Sequence, residues 1–466
     1  MKSSQKVKPL KTNMKTIRIG AGAGYSGDRI PPAVELAEKG ELDYLVFECL
    51  AERTIALAQL ERSKDAKLGF DPLLRDRMEA VLPACVAKGV RIITNMGAAN
   101  PLAAGHEIIN IARELGLPRL NVAVVEGDDV LARIQQADGA HLTLLESSAA
   151  VQSLGDSILS ANAYVGAGAL VQALELGADV VVTGRVADPA LFLAPLIHEF
   201  GWAMSDWPKM GQGTLVGHLL ECAAQITGGY FADPGFRDVP NLARLGFPLA
   251  EVSSDGSAII TKVQGSGGCV TTATCTQQLL YEIENPARYL QPDVVADFSG
   301  VTLNQVGPDR VQVSGATGSE RPATLKVTVG HRDGFIGEGQ ISYAGPGAQA
   351  RGQLALNVLR QRLDESGIQA LDSRYELIGV NAILGHALSA GLEVHQPSEV
   401  RARVAMRVST KKDAERVANE VEAMYLNGPA SGGGVTKSVR EVIVAASTLV
   451  PRDWIHTTVT ILELST

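Results

Sequence analysis

Five polar residues have side chains suited to acid–base or anion-binding chemistry, and each follows a run that is predicted to be a strand. They are Asp28, Glu48, Asn95, Arg185 and Asp188. A carboxyl group can move protons, an amide can polarise a carbonyl group, and a guanidinium can hold a carboxylate or phosphate through two hydrogen bonds. Arg185 and Asp188 also have a structural interpretation, an ion pair that braces their loop. We therefore treat all five residues as candidate catalytic groups.

Three glycine-rich segments could direct backbone N–H groups towards an anion. Residues 20–27 follow a predicted strand and precede a predicted helix, as a phosphate-binding loop does. Gly228-Gly229 closes a helical pattern, and residues 265–268 precede another one. The candidate substrate- or anion-binding residues are Gly22, Gly24, Ser26, Gly27, Gly228, Gly229, Ser266, Gly267 and Gly268. In each segment a tight turn that requires glycine is the alternative.

Dinucleotide binding and several other chemistries have weaker support. Counted from Gly20 and Gly22, the segment departs from the Gly-x-Gly-x-x-Gly fingerprint because Tyr25 stands where the third glycine belongs. Glu48 lies near the acidic position expected for ribose binding, which keeps an NAD-type site open. The serine-hydrolase and P-loop signatures are missing, as are His-x-x-x-His and Cys-x-x-Cys metal spacings. We predict no specific metal site, although scattered carboxylates leave a divalent metal as an alternative.

Composition excludes further classes of protein. The net charge of −9 argues against a nucleic-acid partner. The longest apolar runs, such as residues 178–183, have strand length and fall far short of the roughly 20 residues of a membrane helix. Five scattered cysteines in a long chain favour a reducing compartment, so we expect a cytoplasmic protein without a membrane partner. Cys222 is interpreted as a buried structural thiol, with a nucleophile as the alternative.

Alternating strand and helix patterns must position the candidate residues. Strands are predicted at 16–19, 42–47, 90–94, 120–125 and 178–183, and helices at 33–39, 75–88, 105–115 and 166–176. This order predicts an α/β fold with a mostly parallel sheet and helices on its faces. Ligands bind outside the carboxyl ends of the strands in such sheets, which is where Glu48, Asn95 and Arg185 stand.

The chain is too long for one ordinary hydrophobic core, so more than one domain is expected. The predicted divisions are a disordered leader at 1–15, an α/β domain at 16–365 that becomes richer in β-structure from about 211, a polar connector at 364–375, and a small α+β domain at 376–466. Several strands around one helix in the last division predict a ferredoxin-like layer.

Seven segments, in colinear order over roughly residues 16–360, resemble the acyclic terpene utilisation AtuA family. They are residues 20–29, 47–54, 94–101, 184–189, 227–233, 292–298 and 337–346. Residues 376–466 resemble the small ferredoxin-fold domain that accompanies this family, here fused to the larger part.

The resemblance implies a catabolic role, because the family is named for the degradation of branched acyclic terpenoids such as citronellol and geraniol through CoA thioesters. We expect a hydratase- or lyase-type enzyme that acts on a branched carboxylic acid or its thioester, with CoA as part of the substrate. In this hypothesis Asp28 or Glu48 is the general acid or base, Arg185 holds the carboxylate, and Asn95 polarises a carbonyl group. The alternative is a non-catalytic binding or assembly subunit. A homo-oligomer is expected by analogy of fold.

Overall fold

A computed structural model describes residues 15–136, 139, 141–389 and 397–464 of the chain. Except for Lys15, the predicted leader lies outside the described residues. The strands are β1 (Thr16–Ala23), β2 (Tyr44–Phe47), β3 (Arg91–Thr94), β4 (Leu120–Glu126), β5 (Ile158–Ala163), β6 (Val180–Thr183), β7 (Pro248–Ser253), β8 (Ala258–Lys262), β9 (Tyr289–Leu290), β10 (Val295–Asp297), β11 (Thr302–Gly307), β12 (Arg310–Ser314), β13 (Thr317–Ser319), β14 (Thr324–Ala344), β15 (Ala370–Ile378), β16 (Glu399–Val408), β17 (Gly433–Pro451) and β18 (Thr458–Leu464).

The α-helices match the predicted periodic segments and include others that were not predicted. They are α1 (Pro31–Lys39), α2 (Glu52–Lys64), α3 (Leu74–Lys88), α4 (Pro101–Glu114), α5 (Leu131–Ile134), α6 (Gly168–Glu175), α7 (Ala190–Phe200), α8 (Trp207–Leu220), α9 (Thr272–Leu280), α10 (Ala348–Glu365), α11 (Gly385–Ser389) and α12 (Lys411–Asn427). Short 3-10 turns include Val151–Ser157, Ala223–Thr227, Leu242–Arg244 and Arg452–Trp454.

Ten strands form the main sheet, in the order β11-β12-β8-β7-β1-β2-β3-β6-β4-β18. The five central strands, which are β1, β2, β3, β6 and β4 in spatial order, are parallel. They are buried between helices, as strands that are apolar on both faces require. The remaining five pairings are antiparallel. The prediction of a mostly parallel sheet was therefore wrong for the sheet as a whole. Two of these antiparallel pairings, β7 with β8 and β11 with β12, are hairpins, whose short turns can join only antiparallel neighbours.

The chain separates into two compact units. The first comprises residues 1–330 and 445–466, and the second comprises residues 331–444. The second unit has its own hydrophobic core and runs β-α-β-β-α-β, with strand order β15-β16-β14-β17, which is the element order of a ferredoxin-like layer.

The two units divide the chain at different residues from the predicted boundary. Helix α10 belongs to the second unit because it packs against β15 and β16. The predicted connector at 364–375 contains the first residues of β15. Strand β18 belongs to the first unit because it pairs with β4 along its whole length. Within the described residues, no helix has both the length and the apolar character needed to cross a bilayer.

Candidate functional site

A cavity of about 420 Å³ lies at the carboxyl ends of β1, β2 and β6, in the first unit. Its polar lining comprises Glu48, Glu52, Tyr164, Asp188, Glu221, Glu282 and Lys326. Apolar and aromatic side chains, among them Leu50, Tyr289 and Leu290, complete the wall. A few polar groups converging in a cavity of this size are typical of a small-molecule site.

Glu48 is a buried carboxyl group in the cavity wall, directly after β2. Its Oε1 accepts hydrogen bonds from the Leu50 N–H at 2.8 Å and from the Asn95 amide at 2.9 Å. The Oε2 atom has no hydrogen-bond partner among the described residues. Burial, followed by the negative charge of Asp188, raises the pKa of Glu48 to about 8. A carboxyl group with such a pKa can both donate and accept a proton near neutral pH.

Asn95 positions Glu48 and does not face a ligand. Its side chain is fully buried, and its Oδ1 accepts a hydrogen bond from the Cys49 N–H at 2.7 Å while its amide nitrogen donates to Glu48. This geometry gives no support to the predicted role of Asn95 in polarising a carbonyl group, which stays a prediction. Because both ends of the amide are engaged, the residue fixes the carboxyl group at the strand end.

Arg185 lies behind the cavity wall and is 1% exposed. Its guanidinium donates to the main-chain carbonyls of Leu50 and Val186 and forms an ion pair with Asp188. The predicted role as a substrate clamp finds no support here, because these protein groups already accept the hydrogen bonds of the guanidinium. The guanidinium also lies 4.5 Å from the centre of the Tyr164 ring. The geometry therefore favours the structural interpretation, in which the pair braces the loop.

Lys326 is the cation that lines the cavity. Its Nζ lies 3.1 Å from Glu52 Oε1, and the same carboxylate oxygen accepts a hydrogen bond from the Tyr164 hydroxyl at 2.6 Å. The Lys326 side chain is 41% exposed, so the ammonium group keeps donors for a ligand. These three residues were not among the sequence candidates. Tyr164 directly follows β5 and Lys326 lies in β14, and the two segments meet where the Tyr164 N–H donates to the Lys326 carbonyl oxygen at 2.9 Å.

Glu221 and His218 form a second buried polar pair beside the cavity. Glu221 follows α8 and lines the cavity, and its Oε1 lies 2.9 Å from His218 Nδ1. Neither residue was among the candidates predicted from the sequence. The usable signal was the spacing of three residues on a helix, which places both side chains on one face.

Asp28 is not part of the cavity lining. Its carboxylate accepts hydrogen bonds from the Gly24 N–H at 3.0 Å and from the Arg29 N–H at 2.8 Å. The buried Arg77 donates to the carbonyl groups of Ser26 and Asp28 at 2.7 and 3.1 Å. Burial raises the pKa of Asp28 above its usual value. The residue therefore holds the loop that follows β1.

The other residues of the first glycine-rich segment are closely packed. Gly22 lies inside β1, and a Cβ atom there would come within 2.6 Å of the Phe47 ring. A Cβ atom on Gly27 would come within 2.8 Å of the Tyr25 ring. Helix α1 begins with Pro31, which has no N–H to offer an anion. These contacts favour the tight-turn interpretation over a phosphate-binding loop.

Gly24 allows the end of β1 to approach the residue after Glu221. A Cβ atom on Gly24 would lie 2.5 Å from the carbonyl carbon of Cys222. We expect Gly24→Ala to lower the free energy of unfolding by about 1–3 kcal/mol, because two backbone segments must move apart. Urea unfolding measures this change. The matched control is Gly168→Ala, where the nearest atom lies 3.8 Å from the added Cβ, and an equal loss in both variants would contradict the prediction.

The remaining glycine candidates have their N–H groups bound to protein. The N–H groups of Gly228, Gly229, Gly267 and Gly268 all donate to main-chain carbonyl oxygens. The Ser266 hydroxyl donates to the Val263 carbonyl at 2.7 Å, and Thr271 caps α9 with its own side chain. The structure thus places these residues in packed turns away from the cavity, and their backbone donors are occupied.

The structure defines a class: an α/β protein with a buried acid–base cluster at the carboxyl ends of the central parallel strands. No group of three or more His, Cys, Asp or Glu side chains is arranged to hold a metal ion in the part of the chain that the structure describes.

The chain belongs to the acyclic terpene utilisation family. The model of this family, described as acyclic terpene utilisation family protein AtuA, matches residues 17–461. The match therefore runs through both units, including residues that the sequence resemblance assigned to a separate small domain. Neither the curated proteins nor the solved structures gave a significant match. Membership connects the chain with the utilisation of acyclic terpenes, a catabolic role.

Proposed function

We propose that the protein is a catabolic enzyme that acts on a branched carboxylic acid or its CoA thioester through a hydratase- or lyase-type step. The observation that carries this proposal is Glu48, a buried carboxyl group with an unpartnered oxygen in the wall of the cavity. Removing or adding a proton at the carbon next to a thioester carbonyl requires a positioned acid or base of this kind.

The charges around the cavity suit a carbonyl ligand. Arg185 neutralises Asp188, and Lys326 neutralises Glu52. Burial by itself raises the pKa of Glu52, but the opposing contributions, of which the hydrogen bond from the Tyr164 hydroxyl is the largest, lower it to about 2. Burial raises the pKa of Glu48 to about 8, and it raises the pKa of Glu221 well above its usual value. The cavity thus holds two ion pairs, the carboxylate of Glu282, and two carboxyl groups whose protonated form is favoured by burial, so Lys326 is the group placed to attract a carboxylate or thioester oxygen.

Lys326 is the group we assign to the carboxylate or to the thioester oxygen. Its ammonium can stabilise the negative charge that develops on this oxygen when the neighbouring carbon loses a proton. The apolar wall formed by Leu50, Tyr289 and Leu290 would then receive the branched chain.

We expect Lys326→Met to weaken the binding of citronellate and 3-methylbutanoate about tenfold, since one charge-assisted hydrogen bond is lost. Calorimetric titration measures the affinity. Lys64→Met is the control, because Lys64 is 59% exposed on α2 and pairs only with Glu61 among the described residues. Equal affinities for the wild type and Lys326→Met would remove Lys326 from the site.

Exchange in D₂O tests the proposed function itself. The protein is incubated with 3-hydroxy-3-methylbutanoyl-CoA, and mass spectrometry follows deuterium at the carbon next to the thioester. The proposal predicts enzyme-dependent exchange and interconversion with 3-methylbut-2-enoyl-CoA. If neither reaction occurs with this thioester or with the citronellate thioester, a non-catalytic binding subunit becomes the better interpretation.

A further inference from the structure

We propose that Glu221, positioned by His218, is a second catalytic group, which takes a proton from the water that adds to the substrate. This inference rests on the proposed hydratase-type function and names a second acid–base group for it. The carboxyl group of Glu221 would touch the reacting water, whereas His218 would act through Glu221.

The first argument is the unfilled hydrogen-bonding capacity of Glu221. The residue is 8% exposed and lines the cavity, and its Oε1 is engaged by His218. Its Oε2 is buried and has no partner among the described residues. A buried polar atom without a partner costs about 1–3 kcal/mol, so such an atom beside a cavity points to a ligand or water that completes the bond.

The second argument is the orientation of His218. Its Nε2 lies 3.3 Å from the Leu279 carbonyl oxygen, which can only accept, so this nitrogen carries the hydrogen. The ring is buried between Tyr289 and Phe298, with ring centres 5.4 and 5.8 Å away. Both contacts fix the ring with Nδ1 towards Glu221, as a positioning residue requires.

The third argument is the protonation of the pair. Burial lowers the pKa of His218 to about 4, while burial and the charges of Asp188 and Glu282, opposed by Arg185, raise the pKa of Glu221. Tyr289 also lies close enough to feel the charge of Glu221. These shifts, together with the 2.9 Å separation, favour a single proton shared between Glu221 Oε1 and His218 Nδ1, with both residues neutral.

The pair can take a proton from water only as a relay, in which Glu221 passes its own proton on to His218. As the water oxygen bonds to the β-carbon of an enoyl thioester, its proton passes to Glu221 Oε2 and the Oε1 proton passes to His218 Nδ1. The π electrons of the double bond move to the α-carbon, which takes the proton of Glu48. The products are a 3-hydroxyacyl thioester, ionised Glu48 and protonated His218, and proton exchange with solvent restores the enzyme.

Asp188 lines the same cavity as the two carboxyl groups. Its negative charge raises the pKa of both Glu48 and Glu221. The cluster thus has one carboxyl group for the α-carbon and another for the oxygen of water, which is what addition of water across a double bond requires.

The test compares two rates in the same protein: hydration of 3-methylbut-2-enoyl-CoA in H₂¹⁸O, and α-hydrogen exchange of its hydrate in D₂O. Under this proposal Glu221→Gln and His218→Asn lower hydration about 100-fold, and the ratio of hydration to exchange falls with it. In Glu48→Gln both rates fall and the ratio changes little. His106→Asn, which is exposed on α4, is the matched control.

Two outcomes would overturn the inference. If both rates fall in parallel in His218→Asn and Glu221→Gln, or if neither falls, the pair has only a structural role, while the function of Glu48 stands. If the wild type catalyses neither reaction, the proposed function fails and the inference fails with it. Glu221→Gln keeps the shape of the side chain, so it supplies the comparison should His218→Asn not fold.

Discussion

Glu48→Gln is expected to lower α-hydrogen exchange of a branched acyl-CoA by at least about 100-fold, the usual contribution of a positioned base. Glutamine keeps the shape of the side chain, and its carbonyl oxygen can still accept from Leu50 and Asn95, as Glu48 Oε1 does. The variant should therefore fold and bind the probe. Exchange in D₂O, followed by mass spectrometry, measures the effect.

The pH dependence of this exchange gives a second signature of Glu48. Removal of the α-proton needs the carboxylate form, and the pKa of this group is raised to about 8. The exchange rate should rise with pH up to about 8 and level off above it, and Glu48→Gln should lack this rise. Glu61→Gln, exposed on α2, is the control. A rate that stays constant from pH 6 to 9 in the wild type would contradict the assignment.

Arg185→Met is expected to lower the free energy of unfolding by about 3–5 kcal/mol, because removing one partner of a buried pair leaves the other uncompensated. The lost guanidinium would free the carbonyl groups of Leu50 and Val186 as well as the Asp188 carboxylate. Urea unfolding measures the change. Arg113→Met on the exposed face of α4 should change the stability by less than about 0.5 kcal/mol.

This experiment also separates the two interpretations of Arg185. A substrate clamp would leave stability almost unchanged in Arg185→Met and abolish the binding of carboxylates. A structural brace predicts a large loss of stability and no specific loss of carboxylate binding. Adding Asp188→Asn should then restore part of the stability, since the unpaired charge is removed. Loss of affinity without loss of stability would contradict our interpretation.

The position of the site could be predicted from the sequence, because parallel strands end at one edge of their sheet. Polar residues after β2 and β6 therefore had to lie near one another, and Glu48 and Asp188 do line one cavity. The roles of Asn95 and Arg185 could not be predicted in this way. Residue type gives the number of donors, whereas only the folded structure tells whether protein atoms already occupy them.

One missed helix and one missed strand pairing have specific causes. Helix α7 is buried on nearly every side, so its sequence lacks the amphipathic period of a surface helix. It also contains Pro195, a residue that normally argues against a helix interior. The alternation in β18 predicted a strand but not its partner, because β4 lies more than 300 residues earlier in the chain. The same long separation hid Lys326, whose place beside Tyr164 follows from the pairing of β5 with β14.

The most direct test of the central claim is a crystal structure of the protein with citronellate or 3-methylbutanoate, whichever raises the melting temperature more. Our account predicts the acid in the cavity at the ends of β1, β2 and β6, with its carboxylate near Lys326 Nζ and its α-carbon facing Glu48. An acid bound elsewhere on the chain, with this cavity holding only water, would contradict the account.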